Sequence, residues 1–266
     1  MSKFLNFKQF INESFIEDIF RGAHAAIDKK DLQPLKKFIG KPKFPTQEEV
    51  DAACKFLKID PEYLFYDKNN MLNSIIYWKG TIFYGFFGGL NMEALKMTRA
   101  DKFIEQMNKM YNEASSKKDF SRLFMLVDKK ILIPTYIELY NEIPDDQKYD
   151  IFTDLYIRSE FGFGMFPKEI IDDVFSKRKL SSEWKDRMKA FKKIAKLNDD
   201  GTITVYRGEG SKSTKGGMSW TLQRKTAKFF ADRFDSHGKI VTKKIKPEQA
   251  LDYLSDRGEA EVLITP

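Results

Sequence analysis

The chain has 266 residues, of which 42% are hydrophobic and 32% are charged, and its formal net charge is +7. This length fits one large domain or two of ordinary size, of which we expect two, and the composition is typical of a globular protein rather than a disordered one. The single cysteine, Cys54, excludes an intrachain disulfide and a cysteine-based metal cluster. Only two histidines are present as ligands for a metal site or as members of a Ser/His/Asp triad, so we expect no metal.

The positive charge is concentrated near the end of the chain. From residue 176 onward there are 21 lysines and arginines against 12 aspartates and glutamates, whereas the preceding residues have 25 against 27. A basic region attracts phosphates, RNA or an acidic protein surface. For most of these lysines, solvation of exposed helix faces is an equally good explanation.

Apolar residues recur at three- and four-residue spacing through most of the first 175 residues, which predicts helices. Thr46 followed by Glu49 forms a capping box and predicts that a helix begins there. Further helices are predicted over 4–19, 92–114, 120–141 with a break at Pro134, 145–160 and 167–175. We therefore expect residues 1–175 to be mainly helical.

Two stretches combine aromatic residues with glycines. The first, over 76–87, predicts a hairpin or a buried loop, and the second, over 161–166, predicts core packing because phenylalanine is so often buried. The apolar stretch 75–90 contains Lys79 and four glycines and is too short and mixed to cross a bilayer. Lys8 and Gln9 interrupt the apolar core that a signal peptide needs, so we expect a cytoplasmic protein with no membrane partner.

The pattern changes near residue 198. Residues 177–196 predict a basic amphipathic helix whose apolar face carries Trp184, Met188 and Phe191. Asn198-Asp199-Asp200-Gly201 predicts a turn, after which the residues alternate as in strands. A sheet is therefore expected to follow, with a helix over 222–234 and further strands over 239–245 and 250–253.

Three short motifs lie in this last part of the chain. A strand over 202–207 ends in Tyr206-Arg207 and is followed by Gly208, a second strand begins with Ser219-Trp220-Thr221, and Glu259-Ala260-Glu261 precedes an apolar strand. An arginine fork suits phosphate oxygens, and small hydroxyls can bind a ribose or a carboxylate. In a strand or an extended loop, residues two apart point to the same side, so both carboxylates can face one cleft.

In this order, the motifs resemble the arginine, serine-threonine-serine and glutamate-x-glutamate motifs of the ADP-ribosyltransferase family, in the branch with many bacterial toxins and phage enzymes. The resemblance covers about residues 200–266. It implies an α+β fold, with a helical region over 1–175 for target or partner binding and a catalytic domain over 176–266 built on a mixed β-sheet. The chain stops five residues after Glu261, whereas many relatives continue through another strand, so we expect a sheet that is either trimmed or completed from elsewhere.

The resemblance also implies roles for individual residues, with NAD as co-substrate. Arg207 would hold the NAD phosphates, flanked by Tyr206 and Gly208. Ser219 would support the catalytic glutamate and the nicotinamide ribose, and Thr221 would brace the sheet.

The remaining roles concern the reaction. Cleavage of the nicotinamide–ribose bond builds positive charge on the ribose, which the carboxylate of Glu261 would stabilise. Glu259 would orient and deprotonate the nucleophile, and a glutamate at this position is associated in the family with arginine acceptors. Phe230, beside Phe229, would form an aromatic wall for the nicotinamide, with core packing as the plainer alternative.

These features predict a mono-ADP-ribosyltransferase that acts on a macromolecule as a phage or bacterial effector or toxin. We expect a protein arginine as the acceptor in preference to a nucleic acid. The start of the chain also resembles the helical starts of many tailed-phage proteins, which is a hint of its origin only. We expect it to act in the cytoplasm of a bacterial host cell, with delivery by a virion as one route. An antitoxin or chaperone is a further expected partner. The alternatives are ADP-ribosylation of RNA or DNA, NAD glycohydrolysis, and a catalytically silent binding or virion-associated protein.

Overall fold

The computed structural model describes residues 27, 29–69, 74–159, 165–210, 217–233, 238–255 and 258–264. The helix predicted over 4–19 and most of the aromatic stretch 161–166 lie outside these residues. The chain has an α+β fold and divides into two compact units, Met1–Val174 and Phe175–Pro266. We call them the N-terminal and C-terminal units. None of the described helices is long and apolar enough to span a membrane.

The N-terminal unit contains a four-stranded antiparallel sheet with the order β1-β2-β3-β4. Its strands are β1 (Gln33–Pro34), β2 (Leu64–Tyr66), β3 (Ile75–Lys79) and β4 (Ile82–Gly85). Strands β3 and β4 form the hairpin that the first aromatic stretch predicted as one of two alternatives, and Trp78 Nε1 donates to the carbonyl of Gly80 in its turn at 3.0 Å. The expectation of a mainly helical region therefore missed a sheet.

Helices form most of the rest of this unit. They are α1 (Gln47–Leu57), α2 (Met92–Met97), α3 (Ala100–Lys117), α4 (Phe120–Phe124), α5 (Leu132–Leu139), α6 (Asp145–Arg158) and α7 (Lys168–Lys177), the last of which crosses into the C-terminal unit. The predicted capping box of α1 is confirmed. The backbone N–H of Thr46 donates to the carboxylate of Glu49 at 2.8 Å, and the Glu49 N–H donates to Thr46 Oγ1 at 3.3 Å.

Two of the predicted helices are divided differently from the prediction. The helix expected over 92–114 is interrupted at Arg99, whose φ of 53° is left-handed. The break expected at Pro134 lies over 125–131 instead, and Pro134 occupies the first turn of α5. Backbone N–H groups in a first turn have no intrahelical acceptor, so a proline there removes no helical hydrogen bond.

The C-terminal unit combines two helices with a five-stranded sheet. The helices are α8 (Ser182–Ile194) and α9 (Arg224–Asp232), and the strands are β5 (Ile203–Glu209), β6 (Ser219–Thr221), β7 (Lys239–Ile245), β8 (Ala250–Leu254) and β9 (Glu261–Ile264). The strand order is β7-β5-β6-β9-β8. All pairings among these strands are antiparallel, which corrects the expectation of a mixed sheet.

The two faces of this sheet have different characters. On the first, which we call the α8 face, Val205, Trp220 and Val262 form an apolar core with Phe191 of α8. The second, which we call the α9 face, lies against α9 at Gly208, where a Cβ atom would be 2.1 Å from the carbonyl oxygen of Ala227. Only a glycine allows the helix backbone to approach the strand so closely.

Helix α8 is also attached to the edge strand β8 by polar contacts. Arg187 donates to both carboxylate oxygens of Asp252, at 2.7 Å from Nη2 and at 3.1 and 3.2 Å from Nε. Trp184 Nε1 donates to the carbonyl of Leu251 at 2.8 Å. The carboxylate of Asp252 is fully buried, so the helix, strand and sheet edge are held by a charged pair inside the unit.

Candidate active site

The strand order brings the three motifs together on the central strand β6. Thr221 is paired with Tyr206 on β5 at one side and with Glu261 on β9 at the other. Residues directly opposite in an antiparallel pair share a face, and side chains alternate along each strand. Tyr206, Ser219, Thr221 and Glu261 therefore all belong to the α9 face, although Glu261 is 55 positions from Tyr206 in the sequence.

Ser219 and Glu261 are in direct contact on this face. The hydroxyl Oγ of Ser219 donates a hydrogen bond to Oε1 of Glu261, and both residues are half-buried. A hydroxyl that donates to a carboxylate makes a charge-assisted hydrogen bond, which restricts the rotamer of the acid. The geometry thus holds the Glu261 carboxylate in a defined place.

Arg207 lies on β5 one residue after Tyr206, and the strand continues to Glu209 instead of ending at the arginine. Its Nη1 donates to the backbone carbonyl of Ser219 at 2.6 Å, which ties the arginine motif to the serine motif. Its Nε is 3.7 Å from Oε1 of Glu209, and the two side chains are 14% and 13% exposed. A Cβ atom at Gly217 would lie 2.5 Å from its Nη2, so the guanidinium is closely enclosed.

Glu259 lies in the turn before β9, which begins at Glu261. Ala260 between them has a left-handed φ of 46°, and Gly258 has a φ of 69°. Alternation of side chains requires extended backbone, so the argument that Glu259 and Glu261 point to the same side does not hold at this turn. The motif is therefore a turn followed by a strand, and the expectation of one extended segment is wrong.

Thr221 attaches this turn to the centre of the sheet. Its Oγ1 donates to the carbonyl of Glu259 at 2.5 Å and accepts from the N–H of Gln223 at 3.0 Å. The N–H of Leu222 donates to the carbonyl of Ala260 at 3.1 Å. The hydroxyl expected to brace the sheet therefore braces the backbone that carries both glutamates.

The other expected site residues occupy the same part of the unit. Tyr206 is half-buried, and Gly208 packs against the backbone of α9. Phe230 on α9 is half-buried, and its ring lies edge-on to that of Phe229 at a centroid distance of 5.4 Å. Trp220 lies in the core of the α8 face, so it is a packing residue.

The motif interpretation did not include Glu209 or Gly217, which both contact Arg207. Glu209 could have been found, because it is two residues beyond Arg207 on the same strand face and a largely buried guanidinium needs a nearby negative charge. For Gly217 the sequence offers no comparable signal, since it is one of several glycines in the run 208–217. Only the folded chain places it against the guanidinium.

Within the part of the chain that the structure describes, no group of three or more histidine, cysteine, aspartate or glutamate side chains could hold a metal ion. The ionisable groups that are present suit a different chemistry, since a guanidinium fork matches phosphate oxygens and a fixed carboxylate can stabilise a cation. Comparison of the chain with protein-family models, curated proteins and solved structures finds no match.

Proposed function

We propose that this protein is a mono-ADP-ribosyltransferase that moves ADP-ribose from NAD to a macromolecular acceptor, as a phage or bacterial effector or toxin. One observation carries the proposal: direct hydrogen bonds join the three motifs. Arg207 donates to the Ser219 carbonyl, and the Ser219 hydroxyl donates to Glu261. Thr221 donates to the carbonyl of Glu259. These hydrogen bonds connect residues of the required chemical types across neighbouring strands.

The reaction breaks the bond between nicotinamide and the ribose, and the bonding electrons leave with neutral nicotinamide. The ribose then carries oxocarbenium character, which a nearby carboxylate stabilises electrostatically. Glu261 is the residue proposed for this role. A carboxylate has two oxygens with about four acceptor positions, so it can accept from a ribose hydroxyl as well as from Ser219.

Arg207 is proposed to bind the pyrophosphate. Its guanidinium is planar and always charged, and its donors match phosphate oxygens in pairs. The surplus of nine positive charges from residue 176 onward favours an anionic substrate in the same unit. Tyr206 and Phe230, both half-buried near this part of the sheet, are proposed to contact the nucleoside and nicotinamide rings.

Glu259 is proposed to orient the acceptor and accept its proton. A guanidinium is almost wholly protonated at neutral pH, so transfer of ADP-ribose to it requires a carboxylate that accepts a proton. Water as the acceptor requires less help. We propose a protein arginine as the acceptor, selected by the N-terminal unit. The basic charge of the C-terminal unit favours RNA or DNA as the second candidate.

The test uses the full chain with NAD labelled in its adenylate part, bacterial protein or RNA as acceptor, and a separate assay of nicotinamide release. Glu261→Gln should lower nicotinamide release by about a hundredfold or more, because the transition-state charge loses its stabiliser. The matched control is Glu248→Gln, which removes an exposed carboxylate that follows the last residue of β7 and lies outside the candidate site. Near-normal nicotinamide release by Glu261→Gln would refute the assignment, and the labelled fraction identifies the acceptor class.

A further inference from the structure

The guanidinium of Arg207 is contacted at three separate places. Its Nη1 donates to the Ser219 carbonyl at 2.6 Å, and its Nε lies 3.7 Å from the carboxylate of Glu209. A Cβ atom at Gly217 would lie 2.5 Å from Nη2 and 2.9 Å from both Cζ and Nη1, so the backbone of Gly217 is packed against the outer end of the group. One hydrogen bond, one ion pair without a hydrogen bond at Nε, and one close backbone contact together restrict the orientation of this rigid planar group.

We infer that Glu209 and Gly217 are positioning residues for Arg207, which rests on the proposed function in so far as Arg207 binds NAD. Glu209 holds the Nε edge of the guanidinium, and Gly217 leaves the space that its outer end occupies. Together they restrict the orientation of the group that is proposed to bind the pyrophosphate.

Glu209 also lies opposite Lys239 on β7, and Lys239 Nζ is 3.8 Å from its second carboxylate oxygen. The lysine side chain is 71% exposed, so water screens this pair strongly. The pair with Arg207 is between two largely buried groups and is screened less. The contact with the guanidinium is therefore the one that determines how Glu209 is placed.

A carboxylate beside an anion-binding arginine has two opposing effects, and they predict results of opposite sign. As a negative charge, Glu209 repels a pyrophosphate, so its neutralisation would strengthen NAD binding. As a positioning group, it keeps the guanidinium aligned, so its neutralisation would weaken NAD binding. Glu209→Gln separates the two effects because it retains the size of the side chain and removes its charge.

Gly217→Ala provides an independent perturbation. The φ of Gly217 lies outside the left-handed region, so an alanine meets no backbone strain there. The added methyl group would meet only the end of the Arg207 side chain among its nearest atoms. Because that end can move, the variant should fold and displace the guanidinium.

The first measurement reports the arginine directly and needs no substrate. In a ¹H–¹⁵N spectrum of the full chain, the Nε–Hε signal of Arg207 is assigned by its loss in Arg207→Lys. Glu209→Gln and Gly217→Ala should each shift or broaden that signal, while Glu248→Gln leaves it in place. An unchanged signal in both test variants would overturn the inference.

The second measurement is nicotinamide release as a function of NAD concentration. Glu209→Gln and Gly217→Ala should each raise the KM for NAD about tenfold and change kcat less than about twofold, because ground-state binding is affected and Glu261 is not. In an Arg207→Ala background, Glu209→Gln should change the KM no further, since both act through one group.

A lower KM in Glu209→Gln would show that the carboxylate acts by repulsion instead. If both test variants instead lost kcat and melting temperature to the same extent, Glu209 and Gly217 would have a general structural role. If the unaltered chain releases no nicotinamide, the proposed function fails. The arginine signal then still decides whether Glu209 and Gly217 position Arg207.

Discussion

The two sheets of this protein use their strands differently. In the N-terminal unit, β3 has four consecutive buried residues, from Ile75 to Trp78, so both of its faces are covered by apolar packing. In the C-terminal unit, β5 is fully buried only at Ile203 and Val205, and from Tyr206 onward its residues are half-buried and mostly polar. Strand β3 is packed on both faces over four residues, whereas β5 changes from packing to polar contacts along its length.

Polar side chains in partly buried positions are costly to desolvate, and they persist when they bind one another. In the C-terminal sheet, Arg207, Ser219 and Glu261 satisfy this condition through hydrogen bonds between neighbouring strands. In the N-terminal sheet, the polar atom of Trp78 is satisfied by its own hairpin turn. Polar atoms serve the local fold in the first sheet, whereas in the second they form a connected group suited to chemistry.

The largest expected difference between the units concerns buried cations. Arg187 is 16% exposed and its partner Asp252 is fully buried, whereas Lys148 is 10% exposed and its partner Asp145 is 52% exposed. Arg187→Met should lower the free energy of unfolding by about 3–5 kcal/mol, because it removes the cation from a carboxylate that water cannot reach. Lys148→Met should cost only about 1 kcal/mol, since Asp145 is already hydrated.

Urea denaturation of both variants checks this pair of values. Methionine keeps most of the apolar stem in each case, so the comparison isolates the charge. Equal losses in the two variants would show that burial of the acidic partner does not distinguish the units.

The second expected effect concerns Glu259, which the structure places in the turn rather than on the strand. Glu259→Gln should lower labelling of the acceptor by about a hundredfold or more and retain most nicotinamide release, since water needs the base less than a guanidinium does. Glu261→Gln is the comparison, because it should lower both. Equal loss of the two activities in a folded Glu259→Gln variant would contradict the division of roles, and undiminished labelling would exclude arginine as the acceptor.

The sequence predicted the helices better than the N-terminal sheet for a physical reason. The cap and apolar period of α1 are local signals, and both were confirmed. Strands β1 and β2 have two and three residues, which are too few to show alternation, and β3 is buried on both faces, so its residues do not alternate either. The four-stranded sheet depends on pairing between distant segments that local patterns do not encode.

The same distinction applies to the candidate site. Arg207, Ser219 and Glu261 could be selected from the sequence because each has a recognisable motif, and the structure brings the three together. The left-handed backbone at Ala260 could not be predicted from the sequence, because an alanine does not indicate a turn as a glycine would. Contacts such as that of Gly217 with Arg207 arise from tertiary packing, so the sequence does not predict them.

The third effect tests whether the brace at Thr221 is specific to the C-terminal unit. Thr221→Val should destabilise the protein by about 2 kcal/mol, because a buried hydroxyl serves both the Glu259 carbonyl and the Gln223 N–H. Thr221→Ser should recover most of this loss. The matched control is Thr153→Val in α6, whose hydroxyl donates to the Asp150 carbonyl at 2.9 Å within the same helix.

The carbonyl of Asp150 can keep its helical hydrogen bond, so Thr153→Val should cost less than about 1 kcal/mol. Both variants are measured by thermal unfolding with nicotinamide release as a second reading. A larger loss of activity than of stability in Thr221→Val would place its effect at the turn that carries the glutamates. If Thr221→Val and Thr153→Val lose the same amount of stability, the proposed bracing role of Thr221 is wrong.

The smallest effect tests the close packing of the N-terminal sheet through pH. Burial raises the pKa of Tyr77 on β3 to about 12. In the unfolded chain a tyrosine ionises near pH 10, so between about pH 10 and 12 the unfolded state loses this proton first and stability falls as pH rises. The contribution is fully present below about pH 10. At about pH 10.5 this residue should already account for about 1 kcal/mol of lost stability.

Tyr77→Phe keeps the ring and removes the ionisable group, so the variant should lose less stability than the unaltered chain when urea unfolding is compared at about pH 8 and about pH 10.5. The pKa of Cys54 in the same core is also raised by burial, to about 11, and its contribution persists in the variant. Some alkaline sensitivity should therefore remain. An identical decline in both proteins would show that the phenol of Tyr77 is ionised in the folded state as easily as in the unfolded one. The sheet of the N-terminal unit would then be open to water at β3, and the contrast with the polar sheet of the C-terminal unit would have to rest on Arg187 and Thr221.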